Sequence, residues 1–222
     1  MSRRFESFVF DFDSTIIKSE SLEDIANEAL SDNADKLTLL SKIKEITERG
    51  MEGKLSISES LQQRFQTIRA NKSHIEAVKK GIINKISDSF IANKEFIAKN
   101  SSAIYIVSSG FKDIVDVVAE ELGIPLDHVY ANTFVYDDSG NILGVDETNF
   151  LAQQSGKANL IKTLPLAKQI VMIGDGFTDL ETKLLGSVDA FVYYDEHVHR
   201  EVIASQADLV AKNLDEVIEY IA

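Results

Sequence analysis

The stretch F-V-F-D-F-D-S-T-I-I, residues 8–17, decides how the chain is read. Phe8, Val9 and Phe10 form an apolar run too short for a helix and rich in residues that favour a strand buried on both faces. Asp11 and Asp13 then stand at its carboxyl end, one residue apart. An ionised carboxylate costs several kcal/mol to bury unless a positive group meets it. Two of them at the tip of a buried strand therefore call for a cation and a chemical task.

Working outward, residues 19–86 change character. Apolar residues recur at helical spacing in LEDIANEAL (22–30), KLTLLSKIKEI (36–46), ISESLQQRFQTI (57–68) and HIEAVKKGII (74–83), with no strand signal among them. Ser21 followed by Glu23 and Asp24 reads as a helix start, with acids in the first turn. From residue 88 strands and helices alternate. A helix is expected near 88–100, then the strand AIYIVSSG (103–110), a helix near 112–122 and a strand near 128–131. A hairpin follows through FVYDDSGNILGV, then a helix from about 155, the strand QIVMIGDG (169–176), a helix from 178, and strands and helices to the end. This alternation predicts an α/β fold: a Rossmann-like parallel sheet core with helices on both faces and an inserted helical-bundle cap. The expected division is a core of residues 1–16 and 87–222, with the helical block at 17–86 inserted after the first strand.

Of the 222 residues, 44% are hydrophobic and 27% charged, ordinary values for a globular protein. The net charge of −13 repels nucleic-acid backbones and anionic membrane surfaces, so neither is an expected partner. With no cysteine, thiolate metal sites and cysteine nucleophiles are excluded. The first residues are too acidic for a secretory signal, and a cytoplasmic protein, monomer or homodimer, is expected.

Three of the most apolar strands end in chemistry-bearing residues: Asp11 to Thr15, Ser108-Ser109-Gly110, and Gly174-Asp175-Gly176-Phe177-Thr178-Asp179. Ligands of open α/β sheets bind beyond the carboxyl ends of the strands, so neighbouring tips converge on one spot. Up to four carboxylates there repel one another unless a hard divalent cation joins them, and Mg²⁺ suits oxygen ligands. A carboxylate can accept a phosphoryl group, and a second, protonated one can serve a leaving alkoxide. Ser108 and the backbone N–H groups after it suit phosphoryl oxygens, and Lys157 can neutralise the transferred charge.

DFDST, the SSG strand end, a downstream lysine and GDGFTD resemble, in order, the four motifs of the haloacid-dehalogenase-like phosphatases. Within them the stretches DFDSTIIKSESLEDIA, MEGKLSISESLQQR (51–64), VSSGF and SGK are similar to the phosphoserine phosphatase branch. The resemblance implies Asp11 as nucleophile and Asp13 as general acid/base, with Ser108, Ser109 and Lys157 on the phosphate. It implies Mg²⁺ held by Asp11, the Asp13 backbone carbonyl and Asp175, with Asp179 supporting. Glu20 would face a substrate ammonium and Arg64 its carboxylate, while Met51 and Thr178 would line the pocket. The implied reaction is hydrolysis of O-phosphoserine, a small phosphorylated amino acid, through an aspartyl-phosphate. The alternatives are hydrolysis or transfer on another small phosphate ester, or a phosphoaspartate receiver domain; the last needs neither Asp13 nor an insertion of seventy residues. His197 and His199 in EHVHRE, two residues apart, point to different faces if helical and read as solvated rather than as a metal pair.

Overall fold

The computed structural model describes residues 5–221, so the expected domain bounds at residues 1–4 and 222 lie outside the described residues. The first element of the described chain is strand β1 (Ser7–Phe10), every residue of which is buried. Helices α1 (Ser21–Ala29), α2 (Lys36–Met51), α3 (Ile57–Thr67) and α4 (Lys72–Ile82) follow without an intervening strand. Two short helices, α5 (Asp88–Ala92) and α6 (Lys94–Asn100), lead to β2 (Ile104–Phe111), α7 (Lys112–Leu122) and β3 (Val129–Asn132). A hairpin of β4 (Phe134–Tyr136) and β5 (Ile142–Val145) precedes α8 (Gly156–Ile161), β6 (Ile170–Gly174), α9 (Phe177–Leu184) and β7 (Ala190–Tyr194). The described chain closes with α10 (Glu201–Ala204), β8 (Leu209–Ala211) and α11 (Leu214–Ile221).

Six strands form one parallel sheet in the order β3-β2-β1-β6-β7-β8. The connections run outward in one direction through β2 and β3, and in the other through β6, β7 and β8. The direction of winding therefore reverses at β1, and a crevice opens beyond its carboxyl end. Alternation along β1 divides the core. Phe8 and Phe10 join Ile106, Ile173 and Val192 on one face, covered by α7 and α11 through Val115, Val118 and Val217. Val9 joins Val107, Met172 and Phe191 on the other, covered by α8, α9 and α10 through Ile161, Leu180 and Ile203. Each fully buried phenylalanine contributes about 1.5–3 kcal/mol. The apolar strand is thus a support stiff enough to hold charged groups at its tip.

The four-helix insertion leaves and rejoins the sheet through paired segments. Ile17 bridges Ile86, the Lys18 N–H donates to the Lys85 carbonyl (2.9 Å), and the Ser87 N–H donates to the Ile16 carbonyl (2.9 Å). Helix α3 starts with a capping box between Ser56 and Glu59. Its Phe65 meets the stacked Phe111–Phe134 pair edge-on, at 5.8 and 6.2 Å. That aromatic trio ties the insertion to the end of β2 and to the hairpin.

The single helix expected at 88–100 is two, separated at Asn93, whose side-chain amide donates back to the Ser89 carbonyl (2.9 Å). Such local side-chain bonds compete with the helical ladder. Residues 195–200 are a loop rather than a helix. His199 is exposed there between Asp195 and Glu201, but His197 is half-buried with Nε2 2.6 Å from the Ser87 hydroxyl.

Candidate active site

Asp11 keeps the register of β1, its N–H donating to the Ile173 carbonyl of β6 (2.9 Å). The chain then turns sharply: the Phe12 N–H donates to Asp11 Oδ1 (2.7 Å), and Ser14 takes the left-handed φ of 53°. The turn gives the two carboxylates different surroundings. Asp13 faces the first turn of α1, where Ser21 donates its N–H to Oδ1 (2.8 Å) and its hydroxyl to Oδ2 (3.0 Å). Burial pushes the Asp13 carboxyl up to about 7, the Ser21 donors pull it back in part, and the neighbouring Asp11 charge adds to the rise.

At the end of β2 the buried Ser108 hydroxyl accepts the Gly110 N–H (2.9 Å). The Ser109 carbonyl is held by the side-chain amide of Asn132 at the end of β3 (2.9 Å). A Cβ on Gly110 would stand 3.0 Å from Asp13 Oδ2 and 3.1 Å from Ser108 Oγ, so glycine is what lets this strand end approach the acid.

Lys157, in the first turn of α8, is buried with Nζ 2.7 Å from Asp11 Oδ2 and 2.7 Å from Asp179 Oδ1. Burial opposes its charge, but the two carboxylates outweigh burial and hold its pKa above the ordinary lysine value. Asp179, in α9, also accepts the Gly176 N–H (3.0 Å). A Cβ on Gly174 would lie 2.3 Å from Asp179 Oδ2, so the carboxylate rests directly on the end of β6. Asp175, just past β6, has no exposed surface and pairs with the buried Arg200.

From the insertion, Glu20 receives the Ser14 hydroxyl (2.7 Å) and is pushed up to about 8, by burial first and then by Asp13. Arg64 is buried in the last turn of α3, its Nε donating to the Ser60 carbonyl (3.3 Å). Burial draws its pKa down against the pull of Glu20 and Asp13. Met51 ends α2 over Gly176, and Thr178 lies in the first turn of α9.

Nine of the eleven expected site residues line one cavity of about 140 Å³: Asp11, Asp13, Glu20, Met51, Arg64, Ser108, Ser109, Lys157 and Thr178. Asp175 and Asp179 are buried beside it, and oxygens of Asp11, Asp175 and Asp179 lie within 4.8 Å of one another. The volume is below the roughly 300–1,000 Å³ of clefts for drug-sized ligands, so the space suits a small molecule.

The donor set fits a hard divalent cation. Five carboxyl groups (Asp11, Asp13, Glu20, Asp175, Asp179) face three cations (Lys157, Arg64, Arg200), the last shared with Glu48, so with all of them ionised the site lacks at least two positive charges. The deficit has a measurable consequence. Burial raises Asp13 and Asp175 from 3.8 to about 7 and Asp179 from 3.8 to about 8; the Asp11 charge adds to the rise at all three, while Arg200 pulls Asp175 and Lys157 pulls Asp179 partly back. The folded protein then binds more protons than the unfolded chain between about pH 4 and pH 8, so stability falls as pH rises through that window. The melting temperature of metal-free protein is expected to drop from pH 5 to pH 8, and Mg²⁺ to raise it more at pH 8 than at pH 5. A Mg²⁺ increment independent of pH would contradict this account.

Sequence reading missed several residues here. Arg200 was one of several charged side chains in a loop with no periodicity. Ser21 signals only a helix start in the sequence, yet its hydroxyl and N–H both hold Asp13. Phe177, whose ring lies 2.8 Å from where a Cβ on Gly53 would stand, seats the 51–55 turn on α9.

The sequence profile of the haloacid dehalogenase-like hydrolases matches residues 8–182. The chain is 29% identical over 219 residues to the chloroplastic phosphoserine phosphatase of Arabidopsis thaliana, covering 97% of this chain and 72% of that one. It is 28% identical over 205 residues to the human phosphoserine phosphatase, covering 91% and 87%. The crystal structure of a phosphoserine phosphohydrolase-like protein from Francisella tularensis superposes with a TM-score of 0.87 at 29% identity, over 98% of this chain and all of that one.

Proposed function

Because this chain belongs to the haloacid dehalogenase-like hydrolases, we propose that it hydrolyses O-phosphoserine to serine and phosphate in a Mg²⁺-dependent reaction through an aspartyl-phosphate on Asp11. Hydrolysis of a phosphate monoester accords with the phosphoserine phosphatases it resembles along nearly its whole length. The observation that carries the substrate is the placing of Glu20 and Arg64, one carboxyl group and one guanidinium, on the wall of the cavity that also holds Asp11. A free amino acid carries one ammonium and one carboxylate, and a guanidinium forks a carboxylate in two parallel bonds.

Asp11 attacks phosphorus and the bond to the serine oxygen breaks. Asp13, whose raised pKa keeps a proton available near neutrality, donates that proton to the leaving alkoxide. Asp13 then takes a proton from the water that attacks phosphorus, and the bond to Asp11 breaks with release of phosphate. Ser108, Ser109 and Lys157 hold the phosphoryl oxygens, with Lys157 neutralising charge beside Asp11. Asp11, the Asp13 backbone carbonyl and Asp175 would hold Mg²⁺, with Asp179 supporting, and the ion would supply charge neutralisation at the phosphoryl group. The helices of the insertion act as a cap, contributing Glu20, Met51 and Arg64 and excluding bulk water.

The test is a panel of phosphoserine, phosphothreonine, phosphoethanolamine and a sugar phosphate, assayed with and without Mg²⁺. Phosphoserine is expected to give the highest kcat/KM, and phosphoethanolamine, which lacks the carboxylate, to fall at least tenfold below it. That factor corresponds to a single charged hydrogen bond, about 1.5–3 kcal/mol. A flat profile, a preference for the sugar phosphate, or activity indifferent to Mg²⁺ would overturn the proposal.

A further inference from the structure

We propose that Arg200 is a positioning residue that couples the seating of the helical insertion to the arrangement of Asp175. The inference rests on the metal-ligand reading of Asp175 given above. Arg200 lies in the loop between β7 and α10, and its backbone is fixed to the core. Its N–H donates to the Tyr193 hydroxyl (2.6 Å), which in turn donates to the Val198 carbonyl (2.7 Å). The Arg200 carbonyl accepts the N–H groups of Ile203 (3.0 Å) and Ala204 (2.9 Å).

From this anchor the buried guanidinium reaches two bodies. One terminal nitrogen pairs with Asp175 Oδ2 and donates to the Asp175 carbonyl (3.3 Å). The other lies 3.4 Å from both oxygens of Glu48, on α2 of the insertion. Glu48 stands one turn before Met51, at the end of the helix that rests on Gly176. Among the described residues, the buried Nε of Arg200 has no hydrogen-bond partner, so Asp175 and Glu48 are what orient the fork.

A planar guanidinium divided between two carboxylates is sensitive to either partner. With Glu48 in place, one arm is drawn toward the insertion and Asp175 keeps lone pairs for the triad with Asp11 and Asp179. When the insertion swings away, Glu48 leaves, and the whole guanidinium settles on Asp175 and competes there with a divalent cation. By linkage, a cation at Asp175 and a seated insertion must favour each other to the same degree.

The experiment compares wild type with Glu48→Gln, Arg200→Lys and the double variant. Mg²⁺ binding to metal-free protein is measured by calorimetry, and hydrogen exchange over residues 36–51 is followed with and without Mg²⁺. In the wild type, Mg²⁺ is expected to slow exchange over 36–51. Glu48 is 40% exposed, so its pairing is screened, and Glu48→Gln is expected to weaken Mg²⁺ binding about two- to fivefold. It should also abolish most of the Mg²⁺-dependent slowing. Lysine keeps the charge but cannot fork, so adding Glu48→Gln to Arg200→Lys should change neither readout further. Wild-type Mg²⁺ affinity and protection in Glu48→Gln would overturn the inference, as would a full Glu48→Gln effect in the Arg200→Lys background. If Arg200→Lys does not fold, Glu48→Gln alone decides the matter. Failure of this coupling with phosphoserine turnover intact would remove only the inference, whereas a wild type that binds no Mg²⁺ would also remove the metal reading beneath it.

Discussion

Asp11→Asn is expected to reduce phosphate release from phosphoserine by about 10⁴-fold or more, the scale seen when a nucleophile is removed from a covalent mechanism. The amide is nearly isosteric with the carboxylate but is neutral and a poor nucleophile, so it cannot form the acyl-phosphate. The fold should survive. Asp11 Oδ1 receives the Phe12 N–H, a bond the amide oxygen can keep, and Lys157 retains Asp179 as its second partner at 2.7 Å. Removing one of five crowded carboxylates also relieves repulsion, so the melting temperature should stay within a few degrees of wild type. Circular dichroism and thermal melting check the fold, and release of inorganic phosphate checks the chemistry. Retention of a tenth or more of the activity in a folded Asp11→Asn protein would remove Asp11 from the mechanism.

Arg64→Ala carries the second large effect, and it is one of selectivity. The guanidinium is buried on the cavity wall, and among the described residues its one hydrogen bond runs from Nε to the Ser60 carbonyl, so its terminal nitrogens are available to a ligand carboxylate. Loss of a charged hydrogen bond of about 1.5–3 kcal/mol predicts a fall of roughly 10- to 150-fold in kcat/KM for phosphoserine. Phenyl phosphate has no carboxylate to lose. Arg64 also stabilises the charges of Glu20 and Asp13 at a distance, so its removal disturbs both substrates through the general acid. The ratio of the two kcat/KM values is therefore the informative quantity. A ratio that falls at least tenfold supports Arg64 as the carboxylate reader, and equal losses on both substrates would contradict it.

What was readable from the residues follows from the range over which each signal acts. The apolar run of β1, the alternation in β2 and β6, and the helical spacing of α1 to α4 are local patterns, and the parallel sheet follows from their alternation. The acids at the strand tips were readable because burial makes a carboxylate conspicuous wherever it occurs. Arg200 was not readable, since its meaning lies in bonds to Asp175 and Glu48, 25 and 152 residues away. The same holds for His197, whose contact with Ser87 spans 110 residues. The break at Asn93 turned on one side-chain amide competing for a carbonyl, a choice that helical periodicity does not register. Asp13 shows the limit within the motif itself: its spacing from Asp11 was evident, but its distinct surroundings depend on the turn at Ser14 and on Ser21 at the start of α1.

The most direct test is to trap the covalent intermediate. Wild-type protein with Mg²⁺ would be mixed with phosphoserine carrying labelled phosphate, quenched in acid within the first turnover, and digested for peptide mapping. An acid-stable, base-labile label on the peptide that contains Asp11, absent from the Asp11→Asn protein, is the predicted result. Turnover with no protein-bound phosphate, or a label on any other residue, would contradict the account.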